Sequence, residues 1–401
     1  MHRRRHSVLL SATLACSVAG CGARSDLEVG AASVVDPPVI VDPPALVSPW
    51  SMRGHDAANR GRGTSAAITD PVELWSFQAL SVSSASPAIA ADGTLYFHIG
   101  DSNKLVAVNP DGTLNWEFAG DPTDGWSQDS SPAVGADGTI YLGSGSHLAA
   151  VDPSGHLRWL LPTKGAVMGS PVVAPDGSID CGDEGGYLYS ASPDGVMRWS
   201  LRLEKSISVT LEPVVALDGT VYAAIRDTLF AVVEGSVKWT AKFNSGTCCG
   251  GRSLSIADDG TILVVGHDGL FAFLPDGSPK WVFALPAQDD EWLRSAASIA
   301  ADGTAYVSTS VSSPAVARVL AIGADGAFKW SVKTALSARP TRPTVASDGH
   351  IYTKDPLQII DPSGVVTAAA IPVAETSTSI VIGANGTFYT VFDGALHAFG
   401  R

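Results

Sequence analysis

From residue 86 onward the chain alternates short apolar runs with tight polar turns, and the alternation is periodic. An Asp-Gly or Asn-Gly pair recurs at Asp92-Gly93, Asp137-Gly138, Asp176-Gly177, Asp218-Gly219, Asp259-Gly260, Asp302-Gly303, Asp348-Gly349 and Asn385-Gly386, with spacings of 37 to 46 residues. These dipeptides supply the positive φ angles that tight hairpins require. An apolar strand precedes each turn, as in Ser-Pro-Ala-Ile at 86–89, Ser-Pro-Ala-Val at 131–134 and Ser-Pro-Val-Val at 170–173. A β-branched and aromatic stretch follows, as in Thr-Leu-Tyr-Phe at 94–97 and Thr-Ile-Tyr-Leu at 139–142. A third strand then ends in a second turn. The fourth strand carries Gly-x-x-x-Trp: Gly112 to Trp116, Gly155 to Trp159, Gly195 to Trp199, Gly235 to Trp239, Gly277 to Trp281 and Gly326 to Trp330. The seventh copy, from Gly364, has Ala368 in place of the tryptophan.

Four short strands in each unit of about 40 residues predict a β-propeller blade. The count is eight. The eighth unit, from about 371 to Arg401, holds only three strands. Upstream, Pro71-Val-Glu-Leu-Trp75 is a tryptophan strand with no blade before it. The expected fold is therefore all-β: an eight-bladed β-propeller of four-stranded blades over residues 49–401, its ring closed by the N-terminal strand, which hides the sheet edges.

Ala107-x-Asn109-x-x-Gly112-x-x-x-Trp116 and Ala150-x-Asp152-x-x-Gly155-x-x-x-Trp159 are similar to the tryptophan-docking motif of the pyrroloquinoline-quinone-type repeat family. Trp50-Ser-Met-Arg-Gly-His-Asp56 resembles the segment that precedes the first blade in bacterial members. The resemblance covers about residues 49–401. It implies that Trp75, Trp116, Trp159, Trp199, Trp239, Trp281 and Trp330 brace neighbouring blades. Fold alone does not assign a function.

Composition narrows the classes. Of 401 residues, 45 % are hydrophobic and 16 % charged, with Gly 41 and Pro 25. That profile excludes a disordered acidic chain, a coiled coil and a helical bundle. A net charge of -14 leaves no basic excess for binding nucleic acid.

The N-terminus reads as an address. Arg3, Arg4 and Arg5 precede an apolar stretch from Val8 to Val18 that is too short to span a bilayer. Val18-Ala19-Gly20-Cys21 resembles a bacterial lipobox, which implies a signal peptide over 1–20 and acylation of Cys21. An ordinary secretory signal cut near Ala19 is the other reading. Gly22, where the familiar enteric sorting rule uses Asp for inner-membrane retention, implies the outer membrane. Losing Arg3, Arg4 and Arg5 takes the charge from -14 to -17. Residues 21–48, with Pro-Pro at 37–38 and 43–44, read as a stiff tether.

What breaks the repeat is a candidate for function. Trp126 and Trp292 lie in the loops entering blades 2 and 6, each 15 residues from docking tryptophan to next inner strand against 11 to 14 elsewhere. In an eight-bladed ring those blades face each other. The two indoles could form aromatic platforms across a binding mouth, or cover their own loops. Six residues before each turn stand Ser86, Ser131, Ser170, Glu212, Ser253, Ala296, Arg342 and Ser379. Small residues suit strands crowded near an axis, and Glu212 and Arg342 break that pattern. Arg252, Arg294 and Arg339 lie in equivalent loops, with Asp129, Asp289, Asp290 and Glu291 nearby. Such arginines could capture an anionic group, or form scattered salt bridges.

Cys248 and Cys249 are adjacent and could close a vicinal disulfide in an oxidising compartment. Quinone-dependent alcohol dehydrogenases carry such a ring beside their cofactor. Cys181 reads as a buried strand thiol. No metal-site, nucleophile or phosphate-loop motif occurs, so no catalytic or metal-binding residue is assigned.

Three readings stand. The first is a lipid-anchored, non-catalytic propeller that binds or scaffolds an envelope protein or polysaccharide, resembling in outline the propeller lipoprotein of the outer-membrane β-barrel assembly machinery. It needs no cofactor. The second is a dehydrogenase holding pyrroloquinoline quinone with calcium, using Glu212, Trp126 and the cysteine pair. The third is a structural surface protein.

Overall fold

The computed structural model describes residues 48–79, 85–99, 104–119, 130–204, 210–243, 253–286, 291–293, 295–311, 318–334, 341–354, 357–371 and 378–401. These residues form eight antiparallel sheets arranged as the eight blades of a propeller. Blade 1 shows the pattern: Ala88–Ile89 innermost, then Leu95–Ile99, Lys104–Val108 and Leu114–Ala119 outermost. In blade 8, Val381–Ile382, Phe388–Phe392 and Ala395–Gly400 are completed by Val72–Gln78. Val72 pairs with Gly400 and Gln78 with Ala395, so the N-terminal strand closes the ring as the sequence predicts.

Burial follows strand position. In blade 1 the second strand is buried throughout and the third nearly so, because neighbouring blades cover both faces. The outermost strand alternates between exposed and half-buried residues, with the tryptophan in a half-buried slot. Each tryptophan stands opposite a small residue of the third strand, such as Ala107 for Trp116 and Ala150 for Trp159. A register shift follows that pair in both blades. Such a bulge re-aims the strand and increases its twist.

The glycine of the Gly-x-x-x-Trp motif serves the tryptophan of the preceding blade. Trp116 lies against Gly155 of blade 2, where an added Cβ would stand 2.8 Å from the indole. Its Nε1–H donates to the Pro153 carbonyl at 2.9 Å. Trp75, Trp159, Trp239, Trp281 and Trp330 repeat this bond at 2.8–3.1 Å. Trp199 packs over Gly235. Blade 8 has no turn between its third and fourth strands, because its fourth strand comes from residues 72–78. A tryptophan at 368 would have no such turn to dock on, which accounts for Ala368.

We therefore expect Trp116→Ala to lower stability by about 3 kcal/mol. Ala368→Trp should leave stability within about 0.5 kcal/mol. Urea unfolding of both variants checks this, and a gain from Ala368→Trp matching the loss from Trp116→Ala would overturn the account.

A second-strand tyrosine supports the tryptophan in five blades: Tyr96, Tyr141, Tyr222, Tyr306 and Tyr389 lie 5.6–5.8 Å from Trp116, Trp159, Trp239, Trp330 and Trp75. Blade 3 has Asp180 at that position, and blade 5 has Leu263. Around the axis, the Ser131 hydroxyl accepts the Ser86 N–H at 2.9 Å. Ser170 does the same for Ser131, and Ser86 for Ser379. The small residues that begin these inner strands thus tie adjacent blades together.

Candidate functional site

The inner strands enclose an axial channel. Residues 48–68 occupy its end nearest the Asp-Gly turns. The N–H of the last inner-strand residue of six blades donates to this segment at 2.7–2.9 Å. Ile89 donates to the Trp50 carbonyl, Val134 to Ser51, Val215 to Ala57, Ile256 to Ala58, Ile299 to Arg60 and Val345 to Gly61. Farther on, the Ala67 and Ile68 amides donate to Asp348 and Tyr352. The segment is a circular plug that takes one backbone bond from each of those blades in turn.

Between Ser51 at blade 2 and Ala57 at blade 4, the plug turns away from blade 3. Gly54 and His55 adopt φ of 68° and 82° there. A Cβ at Gly54 would collide with Asn59 and Arg342, so this position requires glycine twice over.

Two breaks in the repeat are engaged by the plug. Arg342 is 9 % exposed. Its guanidinium donates to the Asn59 carbonyl and Oδ1, the Ala297 carbonyl and the Ser298 hydroxyl. Burial lowers its pKa to about 9, with the Arg53 charge acting in the same direction and Asp56 opposing it. Glu212 forms an ion pair with Arg53. Arg60 and Arg62 both pair with Asp258, at 3.3 and 2.8 Å. Burial works to raise the pKa of Asp56, but its contacts with His55 and Arg60 hold it below the usual carboxylate value.

Trp292 lies elsewhere. The segment Glu291–Leu293 adds a strand to blade 6 by pairing with the far end of Ala305–Val311. The Trp292 indole stacks on His267 of blade 5, with centroids 5.9 Å apart and planes 7° from parallel. His267 in turn contacts Asp268. Glu291, whose side chain is 2 % exposed, takes a two-pronged contact from Arg318. Glu212 and Arg342 thus share the plug, whereas Trp292 belongs to a separate cluster at the blade 5–6 seam. Cys21, Trp126, Asp129, Cys248, Cys249, Arg252, Arg294 and Arg339 lie outside the described residues. Cys181 is a free, buried thiol.

Sequence periodicity passes over the plug, His267 and Arg318, because none of them has a counterpart in each blade. Trp50-to-Asp56 carried the available signal for the plug.

Of the residues nominated for a quinone and calcium, Glu212 is the one described, and it does not suit a metal. The Glu212 carboxylate, which would have to hold the metal, already faces a guanidinium. A cation brought to it would meet the Arg53 charge.

A family model described as outer membrane protein assembly factor BamB matches residues 53–180 and 184–358. The structure is similar to BamB from Moraxella catarrhalis, with 16 % identity, 83 % of this chain and 100 % of that chain covered, and a TM-score of 0.64. It is also similar to a europium-containing methanol dehydrogenase, at 11 % identity, 85 % and 89 % coverage and a TM-score of 0.65. A quinohemoprotein alcohol dehydrogenase from Pseudomonas putida aligns at 12 % identity, 85 % and 75 % coverage and a TM-score of 0.65. Among curated proteins none matches the sequence significantly. At these identities the structural likenesses establish the fold.

Proposed function

The chain belongs to the repeat-propeller family described as outer membrane protein assembly factor BamB, and from that premise we propose that it is a non-catalytic scaffold of the bacterial cell envelope. The observation that carries this reading is the plug. The two charged residues that break the inner-strand pattern, Glu212 and Arg342, are spent on holding the chain's own residues 53–59. The ring then offers partners its faces and loops. The family description supports a protein partner, and an envelope polysaccharide is the other class the loops could bind.

In this reading residues 1–20 are a signal peptide, Cys21 carries the lipid, and residues 21–48 hold the propeller off an outer membrane. Acyl chains give the anchoring that an acidic surface could not. Cys21→Ser should move the protein from the membrane fraction to the soluble fraction, and unchanged sedimentation with membranes would remove the lipid anchor.

The test against an enzyme is direct. Pyrroloquinoline quinone with calcium is expected to leave tryptophan fluorescence and melting temperature unchanged. A saturable quench, with stabilisation of about 4 kcal/mol at a thousandfold excess over Kd, would replace the scaffold by a quinoprotein.

A further inference from the structure

Where the plug turns away from blade 3 it leaves a groove of about 530 Å³ at the turn end of the ring, between blades 3 and 5. Its walls include Val173, Pro175, Tyr222 and Ile256, and Asp56 and Arg60 contribute from the plug. Three observations, combined on no other blade, set it apart. First, Val173 occupies the position whose N–H in six other blades donates to the plug, and no such bond reaches Val173 among the described residues. Second, Leu217 on the groove is 83 % exposed. The residues at its place before the other turns are Ala91, Ala136, Pro175, Asp258, Ala301, Ser347 and Ala384. Third, the turn aspartates of blades 2, 3, 5 and 6 pair with Arg158, Arg198, Lys280 and Lys329 at 2.7–3.2 Å. Asp218 of blade 4, also on the groove, makes no ion pair among the described residues.

We propose that this groove docks an extended segment of a partner protein that presents an aliphatic side chain beside a basic one. The segment's backbone carbonyl would accept from Val173, as in strand addition to an open edge. Its aliphatic side chain would cover Leu217, removing from water the most exposed large hydrophobic residue described. Its basic residue would meet Asp218. An acidic segment is disfavoured, because it would bring like charge to Asp218 on a chain of net charge -14. This proposal rests on the scaffold reading and names the surface it uses.

The test is a titration of the full-length protein with two labelled twelve-residue peptides, one alternating Leu with Lys and one alternating Leu with Glu, read by fluorescence anisotropy. The Leu-Lys peptide should bind saturably and the Leu-Glu peptide should not. Leu217→Ala, which restores the residue of four other blades, should weaken binding roughly fivefold by removing apolar contact. Asp218→Asn keeps the turn, as Asn385 does in blade 8 by accepting the Thr387 N–H at 3.0 Å. It should weaken binding roughly threefold, a loss of one exposed charge pair. Asp92→Asn removes the same charge from blade 1 and should change nothing.

Wild-type binding by Leu217→Ala, or equal losses from Asp92→Asn and Asp218→Asn, would overturn the groove in favour of diffuse electrostatics. A dimer that Leu217→Ala dissolves would assign the surface to a second copy instead. Failure of the groove is separable from failure of the scaffold by a photo-reactive phenylalanine analogue placed at 217 or at 292 in intact cells. Protein crosslinks from 292 alone would discard the groove and keep the scaffold, and none from either position would discard both.

Discussion

Replacing Asp180 with asparagine is expected to stabilise the protein at pH 8 by as much as about 4 kcal/mol, and to change little at pH 4. Asp180 occupies the second-strand position that holds tyrosine in six blades, and it is 2 % exposed. Its Oδ1 has no hydrogen-bond partner. Burial raises its pKa to about 7 and the charge of Asp176 pushes the same way, outweighing Ser190 and Arg198. The folded protein therefore keeps a proton that the unfolded chain, with an ordinary carboxylate pKa near 4, releases. Stability falls as pH rises from about 4 to 7 and levels off above that. Asparagine is neutral throughout, so its advantage should grow across that same window. Urea melts at pH 4, 6 and 8 would show it. A constant difference between variant and wild type would mean that Asp180 does not titrate across this range.

Arg342→Met should cost about 3–5 kcal/mol. The substitution keeps most of the apolar stem but leaves the Asn59 carbonyl and Oδ1, the Ala297 carbonyl and the Ser298 hydroxyl without their buried donor. Each orphaned polar group carries a desolvation cost of about 1–3 kcal/mol where water cannot reach it. Arg342→Lys should recover little, because a single ammonium cannot fork to four acceptors held in a guanidinium geometry. The loss should also free the plug. Trypsin should cut after Arg53, Arg60 or Arg62 in the folded variant while sparing the wild type. An unchanged digestion pattern together with unchanged stability would show that Arg342 does not hold the plug.

The contrast between these residues explains what the sequence disclosed. The eight blades were legible because each repeats the same turn chemistry, and Val72–Gln78 was legible as the missing eighth outer strand by elimination. Glu212 and Arg342 stood out for the same reason, as charges in a row of small residues. Their partners did not, because Arg53 and Asn59 lie in a segment that occurs once and so has no pattern to break. The tryptophan motif concealed a different point. Its glycine and tryptophan are close in sequence, yet each meets its counterpart on the adjacent blade, as Gly155 meets Trp116. Only the geometry of the ring makes the loss of a tryptophan at 368 follow from the missing turn in blade 8. Asp180 could have been found by aligning the second strands as the first were aligned.

Closing the ring with residues 72–78 also orders events in time. The first seven blades are each built from neighbours in sequence, so they can form while the chain emerges. The eighth requires Val72 to find Gly400. A contact of that separation carries a large loop-closure cost and belongs late on the folding path. Until then the strand Ala395–Gly400 presents a bare edge, and so does Val72–Gln78. Such edges are the places where an unfinished chain pairs with the wrong neighbour. The closure that leaves the finished ring without a seam strand to spare thus makes the newly made chain dependent on protection from its own kind.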